Sequence, residues 1–223
     1  MGENSVEAID VDLPEKLAAI LNEPAVLRIN FAMRGLKNPV AGSDLKKVAE
    51  KFGKRQIKPM VSAELRNDIT GPDARYDSDK DELHLKTGRT RDFASPTSKG
   101  LIVHEAIHAL QDLNEEVGTT RLTAEAAAFL GQTIYRIVIG GPSGLEDMQK
   151  KIHQMTAIDG GEIFRECLRL VEDFEMLDRR VSLEARHYEA LRHIIKQHKI
   201  YSKYGFDEKI TADGIKCRGA FCF

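Results

Sequence analysis

The segment His104-Glu105-Ala106-Ile107-His108 sets two histidines four positions apart, with a glutamate between them, inside an apolar stretch of helical period. On a helix, residues i and i+4 lie about 40° apart around the axis and one turn along, so both imidazoles can face one ion. Two neutral imidazoles with an open hydrolytic position form a zinc arrangement, and Glu105 then stands beside the activated water as general base. A fold that accepts this motif must bury the helix on most sides and still bring a further ligand to the histidines.

The flanking residues predict where that helix runs. Ser95 offers an N-cap and Pro96 occupies the first helical position, where a missing N–H costs nothing; Thr97 or Ser98 would cap slightly later. Leu101, Ile102, Ala106, Ile107, Ala109, Leu110 and Leu113 wrap much of the cylinder, the pattern of a buried helix, and the run stops near Gly118. A second helix is expected from Thr123 to about Ile139, ended by Gly140-Gly141-Pro142. Glu125 falls 17 positions after His108, enough for one helix to end and a second to return antiparallel. The small Ala126-Ala127-Ala128 beside it would let the two backbones approach closely. Glu125 is therefore the expected third ligand, with Glu115 or Glu116 as alternatives, and Asp112 is a candidate to orient His108.

His104, Glu105 and His108, followed by Glu125 in Thr-Ala-Glu-Ala-Ala-Ala-Phe, resemble the zincin metallopeptidases, specifically the gluzincin branch. In that branch two histidines and a glutamate from the following helix hold zinc. The resemblance covers roughly residues 75 to 140 and implies one Zn2+ per chain on His104, His108 and Glu125, catalysis by Glu105, and a protein or peptide substrate. Gluzincins often carry an aspartate four residues after the ligand glutamate, a position held in this chain by Phe129. The metzincin extension is absent, since Gln111 and Asn114 stand where its glycine and third histidine would fall.

Composition narrows the class. A chain of 223 residues can bury one sizeable core, and a net charge of −2 gives no basic field for nucleic acid. No apolar run approaches a membrane span, and the polar start Met1-Gly2-Glu3-Asn4-Ser5 leads into no signal-type core. Val6 stands where a myristoylation motif needs a hydroxyl residue. The default expectation is a cytoplasmic protein, and a secreted effector or toxin exported without a cleaved signal would carry the same signature. Cys167 falls in an amphipathic pattern and reads as a buried thiol, while Cys217 and Cys222 read as reduced thiols of a C-terminal tail.

The fold class expected is α+β: a helix-rich zincin-like domain over residues 1–203, with a tail at residues 204–223. Residues 25–90 should hold a small antiparallel or mixed sheet, residues 95–140 the metal helices, and residues 145–199 the C-terminal helices. Within this frame a helix is expected over residues 14–21, a strand over residues 25–32, and a loop over residues 35–42. A helix capped by Ser43 or Asp44 should follow to about Lys51, then a strand over residues 57–65 with Pro59 favouring a sheet edge. Residues 74–76 and 82–86 read as a β-hairpin just before the metal helix. Zincin-like domains often place at that point the edge strand to which substrate adds, and the resemblance implies the same role for this hairpin. After Gly160-Gly161, residues 162–198 read as one helix or as two joined near residues 178–182.

Tyr76, Tyr135, His153, His187 and His193 are the candidates for a donor to a developing oxyanion. Two rival functions use the same residues. Glu105-x-x-His108 and Glu184-Ala185-Arg186-His187 are two halves of a di-iron pattern, although a second Glu-x-x-His arises in about every other chain of this composition. A non-catalytic interaction module would keep His104 and His108 as buried residues or as ligands of a structural metal.

Overall fold

The computed structural model describes residues 9–68, 73–116, 118–155 and 160–198. In chain order its elements begin with α1 (Leu13–Leu21), β1 (Asn30–Met33), β2 (Val40–Ala41), α2 (Gly42–Gly53), β3 (Lys58–Val61), α3 (Ala63–Asn67), β4 (Ala74–Asp77) and β5 (Glu82–Leu85). Then follow α4 (Pro96–Leu113), α5 (Arg121–Ile139), α6 (Gly144–Gln154), α7 (Gly161–Asp173), β6 (Val181–Leu183) and α8 (Glu189–Gln197). The protein is thus α+β and helix-rich, with two small mixed sheets.

The helices that carry the motif begin where side-chain caps allow. Ser95 Oγ accepts the Ser98 N–H with Pro96 in the first turn, and Thr120 Oγ1 accepts the Thr123 N–H at the start of α5. Each such cap stabilises its helix by about 1 kcal/mol. α4 buries Ile102, Val103, Ala106, Ile107, Ala109 and Leu110, and α5 is buried from Arg121 to Ile137. Each fully buried Ile or Leu contributes about 1.5–3 kcal/mol, so the pair forms the spine against which β4, α1, α2, α6, α7 and α8 pack. The three alanines after Glu125 are buried as expected. The tightest approach is elsewhere, because a Cβ on Gly131 would come within 2.2 Å of Ile107 Cδ1. Glycine there lets α4 and α5 close at the level of the motif.

The hairpin is present: β4 pairs antiparallel with β5, and β5 pairs parallel with β3 in the order β3-β5-β4. Pro59 does lie in an edge strand, but β3 stops at Val61 because Ser62 accepts the Leu65 N–H and starts α3. The other sheet has the order β2-β1-β6. Three sequence expectations are corrected in this part of the molecule. The strand expected over residues 25–32 begins at Asn30, because Val26–Arg28 forms a 3-10 turn. The cap of α2 is the backbone of Ala41 rather than Ser43 or Asp44. The stretch 162–198 holds two helices separated by β6, which pairs parallel with β1 through Phe31↔Val181 and Met33↔Leu183. Sheet residues therefore extend beyond residue 90, and Leu183 points inward from a strand, not from a helix.

Three helices stop without the glycine that a sequence search relies on. After α2, α4 and α7 the left-handed position is filled by Arg55, Glu115 and Glu175. The Schellman bonds are complete at each: Gln56 N–H to Lys51 O, Glu116 N–H to Gln111 O, and Met176 N–H to Val171 O. Hence α4 ends at Leu113, and Gly118 (φ 82°) belongs to the following turn. Cys167 is buried and free on α7, as expected. Cys217, Cys222 and the expected tail lie outside the described residues.

Candidate metal centre

On α4, His104 and His108 point to the same side, and α5 returns antiparallel to set Glu125 against them. His104 Nε2 lies 3.3 Å from His108 Nε2. Glu125 Oε2 lies 3.5 Å from His104 Nε2, and Glu125 Oε1 lies 3.5 Å from His108 Nε2. Ligands about 2.0–2.1 Å from a tetrahedral zinc are about 3.3–3.4 Å from one another, so the triangle is already of the size such an ion requires. All three residues are buried, at 4%, 1% and 0% exposure for His104, His108 and Glu125.

The chemistry of this donor set fits a cation. Among the described residues, neither carboxylate oxygen of Glu125, both buried, has a hydrogen-bond partner. An ionised carboxylate in that position is expensive unless a cation answers it. The imidazoles do so in part: burial alone would raise the Glu125 pKa, but His108 and His104 outweigh it and hold the carboxyl down at about 2. For His108, burial opposes the charged form, yet Glu125 and then Glu105 win and hold the imidazole above its ordinary range. These buried, mutually attracting groups are the ones that could hold a metal ion.

Glu105, between the two histidines in sequence, turns toward β4, where the Tyr76 N–H donates to its Oε2 at 2.8 Å. Burial pushes the Glu105 carboxyl above its usual range, against the pull of His104, His108 and the Tyr76 N–H. A buried carboxylate with a raised pKa and one oxygen held by a backbone donor is suited to taking up and releasing a proton. β4 thus sits beside the motif helix, as the hairpin reading expected, and touches it through main chain.

The orienting partner of His108 is Gln111, whose Oε1 lies 3.3 Å from His108 Nδ1. With Nδ1 as donor, Nε2 keeps its lone pair for a metal. Asp112, the expected partner, instead accepts from the Tyr76 hydroxyl at 2.9 Å. Burial, followed by Asp81 and Asp79, lifts the Asp112 carboxyl to about 6 against the Tyr76 hydrogen bond. Gln111 was findable, since it lies three positions after His108 on the helix; the Tyr76 N–H, a tertiary contact, left no sequence signal. His104 Nδ1 has no partner among the described residues, and Phe129 packs edge-on against the His104 ring with centroids 4.6 Å apart.

Glu115 and Glu116, the alternative ligands, take other roles. Glu115 holds the left-handed turn, and Glu116 accepts from the Lys37 N–H at 2.6 Å and the Asn38 N–H at 2.8 Å. The oxyanion candidates are dispersed. Tyr135 donates to Glu23, His153 meets the Gln149 carbonyl, His187 Nδ1 accepts the Glu184 N–H, and His193 is exposed on α8. Tyr76 is beside Glu105, but its hydroxyl is directed at Asp81 and Asp112. Glu184 pairs with Arg34 at 3.1 Å, so neither half of the second Glu-x-x-His joins His104, His108 and Glu125. A second group, Asp77, Glu82 and His84, lies part-exposed on the hairpin, where Lys80 pairs with Asp77 at 3.5 Å and His84 Nε2 lies 3.1 Å from Glu82.

Comparisons with protein-family models, with curated proteins and with solved structures each returned no match. The functional reading therefore rests on this site.

Proposed function

We propose that the protein is a zinc-dependent hydrolase, with His104, His108 and Glu125 as ligands, acting on peptide bonds in the manner of the gluzincins it resembles. The observation that carries this reading is the buried triangle of two Nε2 atoms and a hydrogen-bond-free carboxylate, 3.3–3.5 Å on a side, with Glu105 beside it. A zinc ion held there supplies Lewis-acid polarisation of a carbonyl and of water. Glu105 does the proton work: with Oε2 held by the Tyr76 N–H, its other oxygen is the one to take a proton from water and pass it to the leaving nitrogen. Gln111 fixes the His108 ring, and the Glu125 charge neutralises part of the ion.

Burial favours a second reading, because Glu105 and the three ligands are all at most 4% exposed. Closed metal sites are commonly structural. Glu105→Gln separates the two. A catalytic role predicts loss of peptide hydrolysis by about 10²–10⁴-fold with zinc content unchanged. An active Glu105→Gln variant would sink the hydrolase mechanism, as would a wild type that holds zinc but cleaves neither a diverse peptide library nor denatured proteins.

A further inference from the structure

Beyond the metal ligands, α4 and α5 face each other along a seam that continues toward the start of α4. On α5, Glu125, Phe129, Gln132 and Arg136 recur at spacings of four, three and four, which is one stripe of a helix. On α4, His108, His104 and Gly100 form the opposing row. Gln132 and Arg136 are buried residues, 6% and 9% exposed, yet none of their polar atoms is wholly sealed from solvent. Among the described residues neither makes a hydrogen bond or an ion pair. The Arg136 guanidinium lies over the Phe164 ring, 4.9 Å from its centroid. Phe164 packs on Phe129 at 5.8 Å, and Phe129 on His104 at 4.6 Å, so a continuous wall of rings joins the guanidinium to the metal centre.

The sequence makes room for this arrangement. A Cβ on Gly100 would lie 2.9 Å from Arg136 Cγ, 3.1 Å from Cδ and 3.4 Å from Gln132 Cγ. Glycine inside a helix costs about 1 kcal/mol relative to alanine, and at this position it lets the arginine stem cross α4. Keeping an arginine largely out of water without a carboxylate is unfavourable for the free protein, and the Phe164 ring offsets that only in part. Planar, bidentate donation to a carboxylate is what the guanidinium does best.

We propose that Gln132 and Arg136 form a subsite that binds a carboxylate of the substrate, with Arg136 as the anion receptor and Gln132 as an amide contact between it and the metal. The proposal rests on the hydrolase reading and names its substrate class: peptides bearing a carboxylate to one side of the scissile bond. Arg136 lies 11 positions from Glu125, about 16 Å along the helix axis. Its side chain leans back toward the helix start, so an extended peptide of about three to four residues spans the gap.

The test is binding of peptide hydroxamates to the zinc-loaded full chain. The probes carry the chelating group at either end and have Glu or Gln at the third residue, with uncharged termini. A further Gln peptide has an N-terminal hydroxamate and a free C-terminal carboxylate. Wild type should bind a carboxylate-bearing probe at least tenfold more tightly than its uncharged counterpart. The preference should vanish in Arg136→Gln and survive in part in Arg136→Lys. Preference for the Glu side chain or for the free C-terminus then identifies the source of the carboxylate. Arg136→Gln gives up the guanidinium's contact with the Phe164 ring and should melt only slightly lower than wild type when metal-free; a large drop would make Arg136 a packing residue and overturn the proposal. So would hydroxamates that bind wild type with less than twofold preference. Hydroxamates that fail to bind zinc-loaded protein at all would overturn the hydrolase reading, and this proposal with it.

Discussion

Two buried glutamates, nine positions apart, are treated in opposite ways. Glu116 is 2% exposed and its carboxylate accepts from the Lys37 and Asn38 N–H groups, the Asn38 side chain and the Thr119 hydroxyl. Glu125 is 0% exposed and accepts no hydrogen bond from the described residues. The first ties the loop after β1 to the end of α4, and the chain itself satisfies every demand of its charge. The second keeps its lone pairs directed at two imidazoles. The same side chain, equally buried, is structural where the fold supplies donors and ligand-like where the fold withholds them.

That contrast is broken or sharpened most strongly by paired substitutions. Glu116→Gln turns an NH2 group toward existing donors and should destabilise the metal-free protein by about 2–3 kcal/mol. Glu125→Gln in the same metal-free background should cost less, because its carboxylate accepts no hydrogen bond among the described residues and loses only its attraction to the two imidazoles. Chemical denaturation of both variants measures this, and equal losses would erase the distinction. Next in size is Gln111→Leu, which removes the partner of His108 Nδ1 and should weaken zinc affinity by about 10–100-fold while leaving the fold intact. Unchanged affinity in a chelator competition would show that Gln111 orients nothing.

A smaller effect is expected from Asp112, whose carboxyl is raised from 3.8 to about 6. The folded state holds this proton more tightly than the unfolded chain does. Its contribution is therefore complete below pH 3.8 and is lost as the pH rises through about 6. Melting temperatures across that window should fall in wild type relative to Asp112→Asn, and parallel curves would contradict the assignment. The smallest change is Glu175→Gly. It relieves a non-glycine residue at φ 52° and should stabilise the protein by about 0.5–1 kcal/mol, read as a rise in melting temperature.

The centre of the fold was legible because its signals are local. Ser95-Pro96, the H-E-x-x-H spacing and the apolar wrap of α4 state the helix that carries the motif, and the return distance to Glu125 states the one packed against it. The candidate third ligand came from that distance and from the small Ala126-Ala127-Ala128 beside it. What escaped the sequence was non-local or atypical. β6 is only three residues long, too short for its alternation to register, and it exists because β1 offers it an edge. Helices ending on Arg55, Glu115 and Glu175 gave no glycine to mark their stops. The hold of the Tyr76 N–H on Glu105 depends on a strand 29 residues away, and a backbone donor leaves no residue type to search for.

The most direct test of the metal centre is zinc stoichiometry after equilibrium dialysis of wild type, Glu125→Gln, His104→Ala and Glu116→Gln. One zinc per chain in wild type and in Glu116→Gln, with none in the other two, is the predicted result. A wild type that takes up no zinc, or a Glu125→Gln protein that binds it as well as wild type, would contradict the claim that the unsatisfied carboxylate is a metal ligand.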